Sequence, residues 1–343
     1  MAKVDGHSGR MVKLSPDLSR RTALIGAAGL LATPVLAQPI DHPDGEAPTQ
    51  ALPPAPPGPT GDPVQGGVND APNDGHPPLD AQFFEDGVRL MENQETILFY
   101  RTKPEGRQGV LNRINYIGSL YAPDNTALIV DGGEPDQRGL YWGWREVMID
   151  GDIVADSRGL KGINFFTKRT HFESLTATSA ALTVEVDWII TAGPELRYAA
   201  NEVTRTTIFR TAYGERRVRV ETSIQARLPG LGLGGGGRDE AGIGLTLRRP
   251  GDLTFVSGGG RPLTKGGGTI AAGDSMTFGW QGDDAPAWKV EMGCLVNGEA
   301  AHTWRIGDDQ PAQSAVLPSP RPYIGPTSRP LLIQTDISIR PTQ

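Results

Sequence analysis

The feature that most constrains this chain is a regular alternation of apolar and polar residues over long stretches. Residues 181–190, "ALTVEVDWII", and residues 216–228, "RRVRVETSIQARL", place an apolar or small side chain at every second position. A period of two puts these side chains on one face of a β-strand, whereas an amphipathic helix needs a period of 3.6. Residues 331–340, "LLIQTDISIR", repeat the pattern. The sequence therefore predicts strands with one buried and one polar face.

The segments between these strands carry glycine and proline turns such as "AGPEL", "AYGER" and "SGGGRP". No segment of ten or more residues shows the apolar stripe of a helix. The predicted fold is all-β, an antiparallel two-sheet β-sandwich, because long strands suit two packed sheets better than a small barrel. The residues predicted to face the core are Val184, Val186, Ile190, Val218, Val220 and Ile224.

Two glycine-rich runs, residues 230–244 and 257–268, could suggest phosphate-binding loops. Such a loop must follow a strand and open a helix, and neither run precedes a helical pattern. We therefore interpret both runs as flexible hairpin loops.

The N-terminal residues resemble an export signal. Arg20 and Arg21 precede an apolar run at residues 23–32, and small or apolar residues lead up to Ala37. This layout predicts a twin-arginine signal at residues 1–37, cleaved after Ala37. The run is far shorter than the ~20 residues of a membrane-spanning helix. We expect a periplasmic or secreted protein that is soluble and has no membrane span.

Residues 38–79 are dense in proline and poor in large apolar residues, so they predict a disordered linker. Residues 80–343 then form a single predicted β-sandwich domain. Cys294 is the only cysteine, so no intrachain disulfide can form, and its apolar neighbours predict a buried hydrophobic residue. A net charge of −7 argues against a nucleic-acid partner.

Residues 134–144, "EPDQRGLYWGW", concentrate charged and aromatic side chains. Two tryptophans two residues apart on one strand are typical of a core. However, carboxylates and a guanidinium beside aromatic rings are also what a sugar-binding pocket requires, because they bind hydroxyls while a ring stacks on the sugar. Both interpretations stay open for this segment.

The segments "LFYRTKPEG", "LYAP", "EPDQRGLYWGW" and "DWII…NEVTRTTIF" resemble the PmoA-like family of exported bacterial proteins, over residues 94 to about 247. The resemblance implies a sandwich like the galactose-mutarotase supersandwich and a role in carbohydrate breakdown. Histidines of the family motif fall here on Glu134, Asp136 and Gln137. The "methane oxygenase" label sometimes given to this family implies a membrane subunit, and we discard it because the chain has no predicted membrane span.

The predicted catalytic residues are Glu134, Asp136 and His171. The predicted substrate-binding residues are Gln137, Arg138, Tyr141, Trp142, Trp144 and Glu202. An ion pair of Glu202 with Arg205 is the alternative for that glutamate. One cysteine and two domain histidines are too few for a zinc site, so no metal or cofactor is predicted, although carboxylates at the family's histidine positions could hold Ca²⁺.

Three functions remain compatible with the sequence. A carbohydrate-active enzyme would use two acids about 5–10 Å apart across a sugar-binding cleft. A non-catalytic glycan-binding protein would keep a pocket for a carbohydrate or another small polar ligand without the family's histidines. A structural envelope protein would bind neither.

The export signal is directly testable. We expect a variant with Arg20→Lys and Arg21→Lys to accumulate as a precursor in the cytoplasm, because the twin-arginine route reads that pair. Fractionation and mass spectrometry of the mature N-terminus measure this outcome. Unaltered export of the double variant would contradict the assigned route.

Overall fold

The computed structural model describes residues 79–104, 113–235, 241–248, 252–264, 269–307, 312–316, 323–324 and 329–342. The predicted export signal and almost all of the predicted linker lie outside these residues. The described residues form twenty-three β-strands and no helix, so they contain no helix able to cross a membrane.

The first twelve strands cover residues 79 to 226. They are β1 (Leu79–Phe83), β2 (Gly87–Glu92), β3 (Glu95–Arg101), β4 (Tyr116–Tyr121), β5 (Ala127–Val130), β6 (Leu140–Trp144), β7 (Glu146–Ile149), β8 (Asp152–Ala155), β9 (Ile163–Thr176), β10 (Ser179–Ile190), β11 (Arg197–Phe209) and β12 (Arg216–Ala226).

The other eleven strands include several short ones. They are β13 (Leu231–Gly234), β14 (Ala241–Thr246), β15 (Asp252–Ser257), β16 (Thr269–Ala271), β17 (Ser275–Gln281), β18 (Trp288–Val296), β19 (Glu299–Ala300), β20 (Thr303–Arg305), β21 (Ala312–Val316), β22 (Tyr323–Ile324) and β23 (Leu331–Pro341).

Three antiparallel sheets result from the pairing of these strands. The ten-stranded sheet has the order β1-β2-β3-β4-β6-β14-β21-β20-β16, with β5 paired to β4. The nine-stranded sheet has the order β15-β17-β18-β23-β12-β11-β10-β9, with β19 paired to β18. A four-stranded sheet has the order β22-β13-β7-β8.

The two large sheets pack against each other through aromatic rings. The ring of Trp144 on β6 lies 6.1 Å from that of Trp188 on β10, measured between centroids. The ring of Phe278 on β17 lies 5.8 Å from that of Trp304 on β20. Each pair joins one sheet to the other, which confirms the predicted antiparallel two-sheet β-sandwich.

The alternation in the sequence correctly identifies the core face of the nine-stranded sheet. The six predicted inward residues are at most 3% exposed, and they are Val184, Val186, Ile190, Val218, Val220 and Ile224. Cys294 on β18 is also fully buried, and burial raises the pKa of its thiol to about 12. The opposite face of this sheet, called the outer face below, carries the polar members of each alternation.

The interpretation of the first glycine-rich run as a hairpin loop is wrong in part. Leu231–Gly234 is strand β13 of the four-stranded sheet, and Ala241–Thr246 is strand β14 of the ten-stranded sheet. Both strands are buried along their length. Glycine is needed on β14 because a Cβ at Gly244 would collide with the ring of Tyr141. The glycines in this run thus allow close packing against a neighbouring strand and do not indicate a loop.

Glu215 stabilises the junction of β12 and β23 through several hydrogen bonds. Its carboxylate accepts bonds from Arg217 Nε at 2.7 Å and from Ser338 Oγ at 2.5 Å. It also lies 3.4 Å from Arg340 Nε. The bond from Arg217 is the largest contribution that lowers the pKa of Glu215 to about 2.

We expect Glu215→Gln to lower the free energy of unfolding by about 1–3 kcal/mol at pH 7. The folded carboxylate stays ionised until pH falls to about 2, whereas the unfolded one is protonated below 4.5. Its stabilisation is therefore complete above pH 4.5 and is lost between 4.5 and 2, where wild type and variant converge. Denaturant titrations across this range measure the effect. A constant difference down to pH 2 would contradict the assignment, and Glu221→Gln on the same strand is the control.

Candidate functional site

The turn that carries the predicted acidic residues is held by Asp131, which follows β5. Its carboxylate accepts a bond from Arg113 Nη1 at 2.8 Å, from Tyr116 Oη at 2.6 Å and from the Gly133 amide at 2.8 Å. Burial and the bond to Asp131 raise the pKa of Tyr116. An aspartate directly before two glycines predicts the turn at residues 131–133, but Asp131 is not among the predicted site residues.

Glu134, Asp136 and Gln137 lie on the solvent side of this turn. Glu134 is exposed, whereas Asp136 and Gln137 are half-buried. One oxygen of Asp136 lies 3.4 Å from Arg145 Nη2, and Arg145 Nη1 lies 3.1 Å from Asp156. One predicted catalytic acid is therefore solvated, and the other is ion-paired.

Arg138 lies beneath the turn and is only 2% exposed. Its guanidinium stacks over the ring of Tyr141, 4.5 Å from the ring centroid. The hydroxyl of Tyr141 donates to the carbonyl of Asp136 at 2.8 Å. Burial lowers the pKa of Arg138 to about 10. The structure thus brings Arg138, Tyr141 and Asp136 together and buries Arg138 under the turn.

The three aromatic residues of β6 are all core residues. Tyr141 is 1% exposed, Trp142 5% and Trp144 0%. Both faces of β6 are covered: the ring of Trp144 packs on Trp188 of the nine-stranded sheet, and the ring of Tyr141, on the other face, lies against Gly244 and the guanidiniums of Arg138 and Arg158. Rings buried to this extent pack in the core and offer no surface to a ligand. The segment at residues 134–144 is a core strand preceded by a polar turn.

Glu202 on β11 is fully buried between the sheets. Its carboxylate accepts bonds from Asn115 Nδ2 at 2.8 Å, from Thr204 Oγ1 at 2.8 Å and from Trp188 Nε1 at 2.7 Å. Burial raises the pKa of Glu202, and these hydrogen bonds oppose the rise. Glu202 and these three donors form a hydrogen-bond network between the sheets, called the core network below. Glu202 is therefore not part of the polar turn.

The alternative ion pair of Glu202 with Arg205 is wrong. Arg205 Nη2 lies 2.8 Å from the carboxylate of Glu173, on the outer face. Residues three apart on a strand point to opposite faces, so Glu202 and Arg205 cannot meet. His171 is also on the outer face, exposed and opposite Thr183. It belongs to the nine-stranded sheet, whereas Glu134 and Asp136 precede a strand of the ten-stranded sheet.

Two aromatic rings point outward from the nine-stranded sheet. Phe166 on β9 is 61% exposed and Tyr198 on β11 is 59% exposed. Phe166 pairs with Asp187 of β10, and Tyr198 pairs with Ile189 of the same strand. The backbones of the two residues are separated by two strand spacings of about 4.8 Å and by two residues along β10, which together give roughly 12 Å. The sequence interpretation missed them, although each is an aromatic residue at an outward position.

Hydrogen-bonding groups surround these rings. Asn201 Nδ2 donates to Glu185 and to Asp187, each at 3.2 Å. Lys168 Nζ donates to Glu185 at 3.0 Å and lies 3.9 Å from Asp187. The bond from Lys168 is the main cause that lowers the pKa of Glu185. We call Phe166, Tyr198, Asp187, Asn201 and Lys168 the outer-face cluster.

Two cavities lie end to end on the same outer face. The first has a volume of about 420 Å³ and is lined by residues that include Val203, Glu221 and Leu332. The second has a volume of about 860 Å³ and is lined by residues that include Arg219 and Asp336. Both run along β12, β18 and β23, and none of the predicted site residues lines either one. The outer face therefore carries two cavities that follow one another along these strands.

The described residues contain no group of three or more histidine, cysteine, aspartate or glutamate side chains that could hold a metal ion. The guanidinium of Arg145 lies 3.4 Å from the carboxylate of Asp136.

No protein-family model matches this chain, and no curated protein matches it. The resemblance to the PmoA-like family thus stays a prediction based on the quoted motifs.

The core network generates a prediction with a matched control. We expect Trp188→Phe to lower the free energy of unfolding by about 1.5–3 kcal/mol more than Trp304→Phe, because only the first removes a hydrogen bond to a buried carboxylate. Both tryptophans are fully buried, and the indole nitrogen of Trp304 has no hydrogen-bond partner among the described residues. Chemical denaturation measures both losses. Equal losses would show that the Glu202 bond adds no net stability.

Proposed function

We propose that this protein is a non-catalytic glycan-binding protein whose binding surface is the outer face of the nine-stranded sheet. The observation that carries the proposal is the pair of exposed rings of Phe166 and Tyr198 on strands that flank β10. Large aromatic side chains are normally buried, and exposed ones concentrate at recognition surfaces. A ring lying open on a flat sheet can stack against the apolar face of a sugar ring.

The polar members of the outer-face cluster suit the hydroxyls of a sugar. Asp187 supplies acceptor oxygens, Asn201 supplies an amide and Lys168 supplies a charged donor beside the rings. Asn201 donates to Asp187 at 3.2 Å, and Glu185 accepts from Lys168 at 3.0 Å and from Asn201 at 3.2 Å, so these groups are already held in place. A ligand that binds there meets oriented polar groups, which lowers the ordering entropy lost on binding.

The first cavity lies beyond the cluster on the same face, and its position favours a glycan chain over a single sugar as the ligand. On β11, the outward side chains continue from Tyr198 through Asn201 and Val203 to Arg205. That distance is roughly 23 Å at about 3.3 Å per residue. Val203 and Arg205 line the first cavity. An extended glycan can therefore contact the cluster and the cavity together.

The carboxylates of this face favour binding over catalysis. A general acid for glycoside cleavage needs a carboxyl that faces the ligand and holds its proton near neutral pH. Lysine pairing lowers the pKa of Glu185, which makes it an ionised acceptor. Among the described residues, the carboxyl with a raised pKa is that of Glu202, and it is sealed between the sheets.

Two features of the sequence, the predicted export signal and the family resemblance, also support the proposal. A twin-arginine signal would deliver the folded protein to the periplasm or beyond, where glycans of the cell envelope or of the surroundings are present. The resemblance to the PmoA-like family points to the same class of ligand. The predicted export signal is independent of residues 134–144, whereas the resemblance is carried in part by that segment.

The test is a glycan-array screen followed by calorimetric titration of each glycan that binds. We expect Phe166→Ala and Tyr198→Ala each to weaken binding about tenfold or more, because aromatic anchors dominate recognition surfaces. Phe83→Ala is the matched control, since Phe83 is a 59% exposed ring on β1 of the ten-stranded sheet and lines neither cavity of the outer face. All three positions are exposed, so melting temperatures should stay close to wild type.

Product analysis on every bound glycan separates the remaining possibilities. Binding without turnover supports the proposal. Turnover of a bound glycan would favour a carbohydrate-active enzyme. Absence of binding, or binding that neither Phe166→Ala nor Tyr198→Ala weakens, would reject the outer-face cluster as the binding surface.

A further inference from the structure

Two arginine side chains are buried next to each other beneath the polar turn. Arg138 is 2% exposed and Arg158 is 6% exposed. Their guanidiniums lie 4.5 and 5.6 Å from the ring centroid of Tyr141. A Cβ at Gly143 would come within 2.9 Å of the Arg158 Cα, so this glycine permits the loop that carries Arg158 to pack on β6.

These guanidiniums have few hydrogen-bond partners. Arg138 Nε, Arg158 Nε and Arg158 Nη1 are buried and have no partner among the described residues. Arg138 Nη2 reaches the carbonyl oxygens of Ser157 at 3.3 Å and of Arg158 at 3.5 Å, both long for such a bond. Buried donors in native proteins are normally satisfied, and an exception calls for a bound water or ion.

The neighbouring carboxylates do not supply the missing partner, because they are engaged elsewhere. Asp131 accepts from Arg113 at 2.8 Å. Arg145 lies 3.4 Å from Asp136 and 3.1 Å from Asp156. The positive charges of Arg138 and Arg158 are thus not neutralised by any of these three carboxylates.

The electrostatics of the pair agree with this description. Burial is the main cause that lowers the pKa of Arg138 to about 10, and the charge of Arg158 contributes to the same shift. A group with a pKa near 10 remains protonated at neutral pH. Two like charges therefore lie 4.5 and 5.6 Å from the centroid of one ring in a water-poor environment, which a bound anion would stabilise.

We propose that Arg138 and Arg158 form a binding site for a small oxyanion, namely phosphate, sulfate or the carboxylate of a small acid. A guanidinium presents donors in a planar fork that matches two oxygens of such an anion. The site lies between the turn at residues 131–137 and the loop at residues 156–161, which Arg145 connects. It belongs to a different sheet from the outer-face cluster and does not rest on the proposed function.

The experiment uses the whole protein in chloride and, at matched ionic strength, in phosphate, sulfate or malonate. We expect at least one of these anions to raise the Tm of wild type saturably and to bind in calorimetry. Arg158→Met should have a Tm in chloride at or above that of wild type, because it removes a buried charge without a partner. Its affinity for the anion should fall about tenfold or more. Arg217→Met, which removes an exposed arginine of the outer face, should bind as wild type does.

Each outcome decides the proposal. A response to phosphate or sulfate identifies a tetrahedral anion, whereas a response to malonate identifies a carboxylate, and either supports the site. No saturable response of wild type to any of the three anions would overturn it. A lower Tm of Arg158→Met in chloride with an unchanged anion response would also overturn it, because Arg158 would then be a packing residue.

Discussion

The buried carboxylate of Glu202 connects the two sheets, because it accepts hydrogen bonds from residues of both. Trp188 donates to it from the nine-stranded sheet, and Asn115 donates from the edge of β4 in the ten-stranded sheet. Asn115 in turn accepts a bond from the hydroxyl of Tyr100 at 2.7 Å. Apolar packing alone tolerates small shifts between two sheets, but a buried carboxylate keeps its donors only in one register. The network therefore fixes how the sheets face each other.

This network depends on a residue in an uncommon backbone conformation. Asn115 has a φ of 64°, in the left-handed region that asparagine enters at lower energy than most residues. Its amide hydrogen bonds to the carbonyl of Arg101 at 2.9 Å, which holds the backbone while the side chain points at Glu202. A substitution that is conservative in polarity but prefers extended backbone would misdirect the donor. The register of the sandwich thus rests on local backbone chemistry as well as on hydrophobic area.

The outer face follows from the same register and from its irregularities. The pairing of β9 with β10 shifts between Glu185 and Val186, and the pairing of β10 with β11 shifts between Trp188 and Ile189. Each shift changes which residues of the neighbouring strand point outward. Phe166 and Tyr198 lie beyond these shifts, and both point to solvent. The alternation predicts Val184 and Val186 as core because β10 is regular there, but it cannot predict a bulge that a partner strand creates.

The site at residues 134–144 shows a second limit of sequence reasoning. The turn at Asp131 and the contact of Arg138 with Tyr141 follow from glycine positions and neighbouring residue types, so they were predictable. The burial of Tyr141 was not, because Gly244 of β14, against which its ring lies, belongs to a segment about a hundred residues later in the chain. Long-range pairing of this kind decides whether an aromatic side chain lines a ligand pocket or packs in the hydrophobic core. It also converts Arg138 from a surface ligand into a buried charge, and a buried charge without a partner is stable only if another interaction compensates it. The stacking on Tyr141 compensates part of that charge, and the remainder is the physical reason to expect an anion.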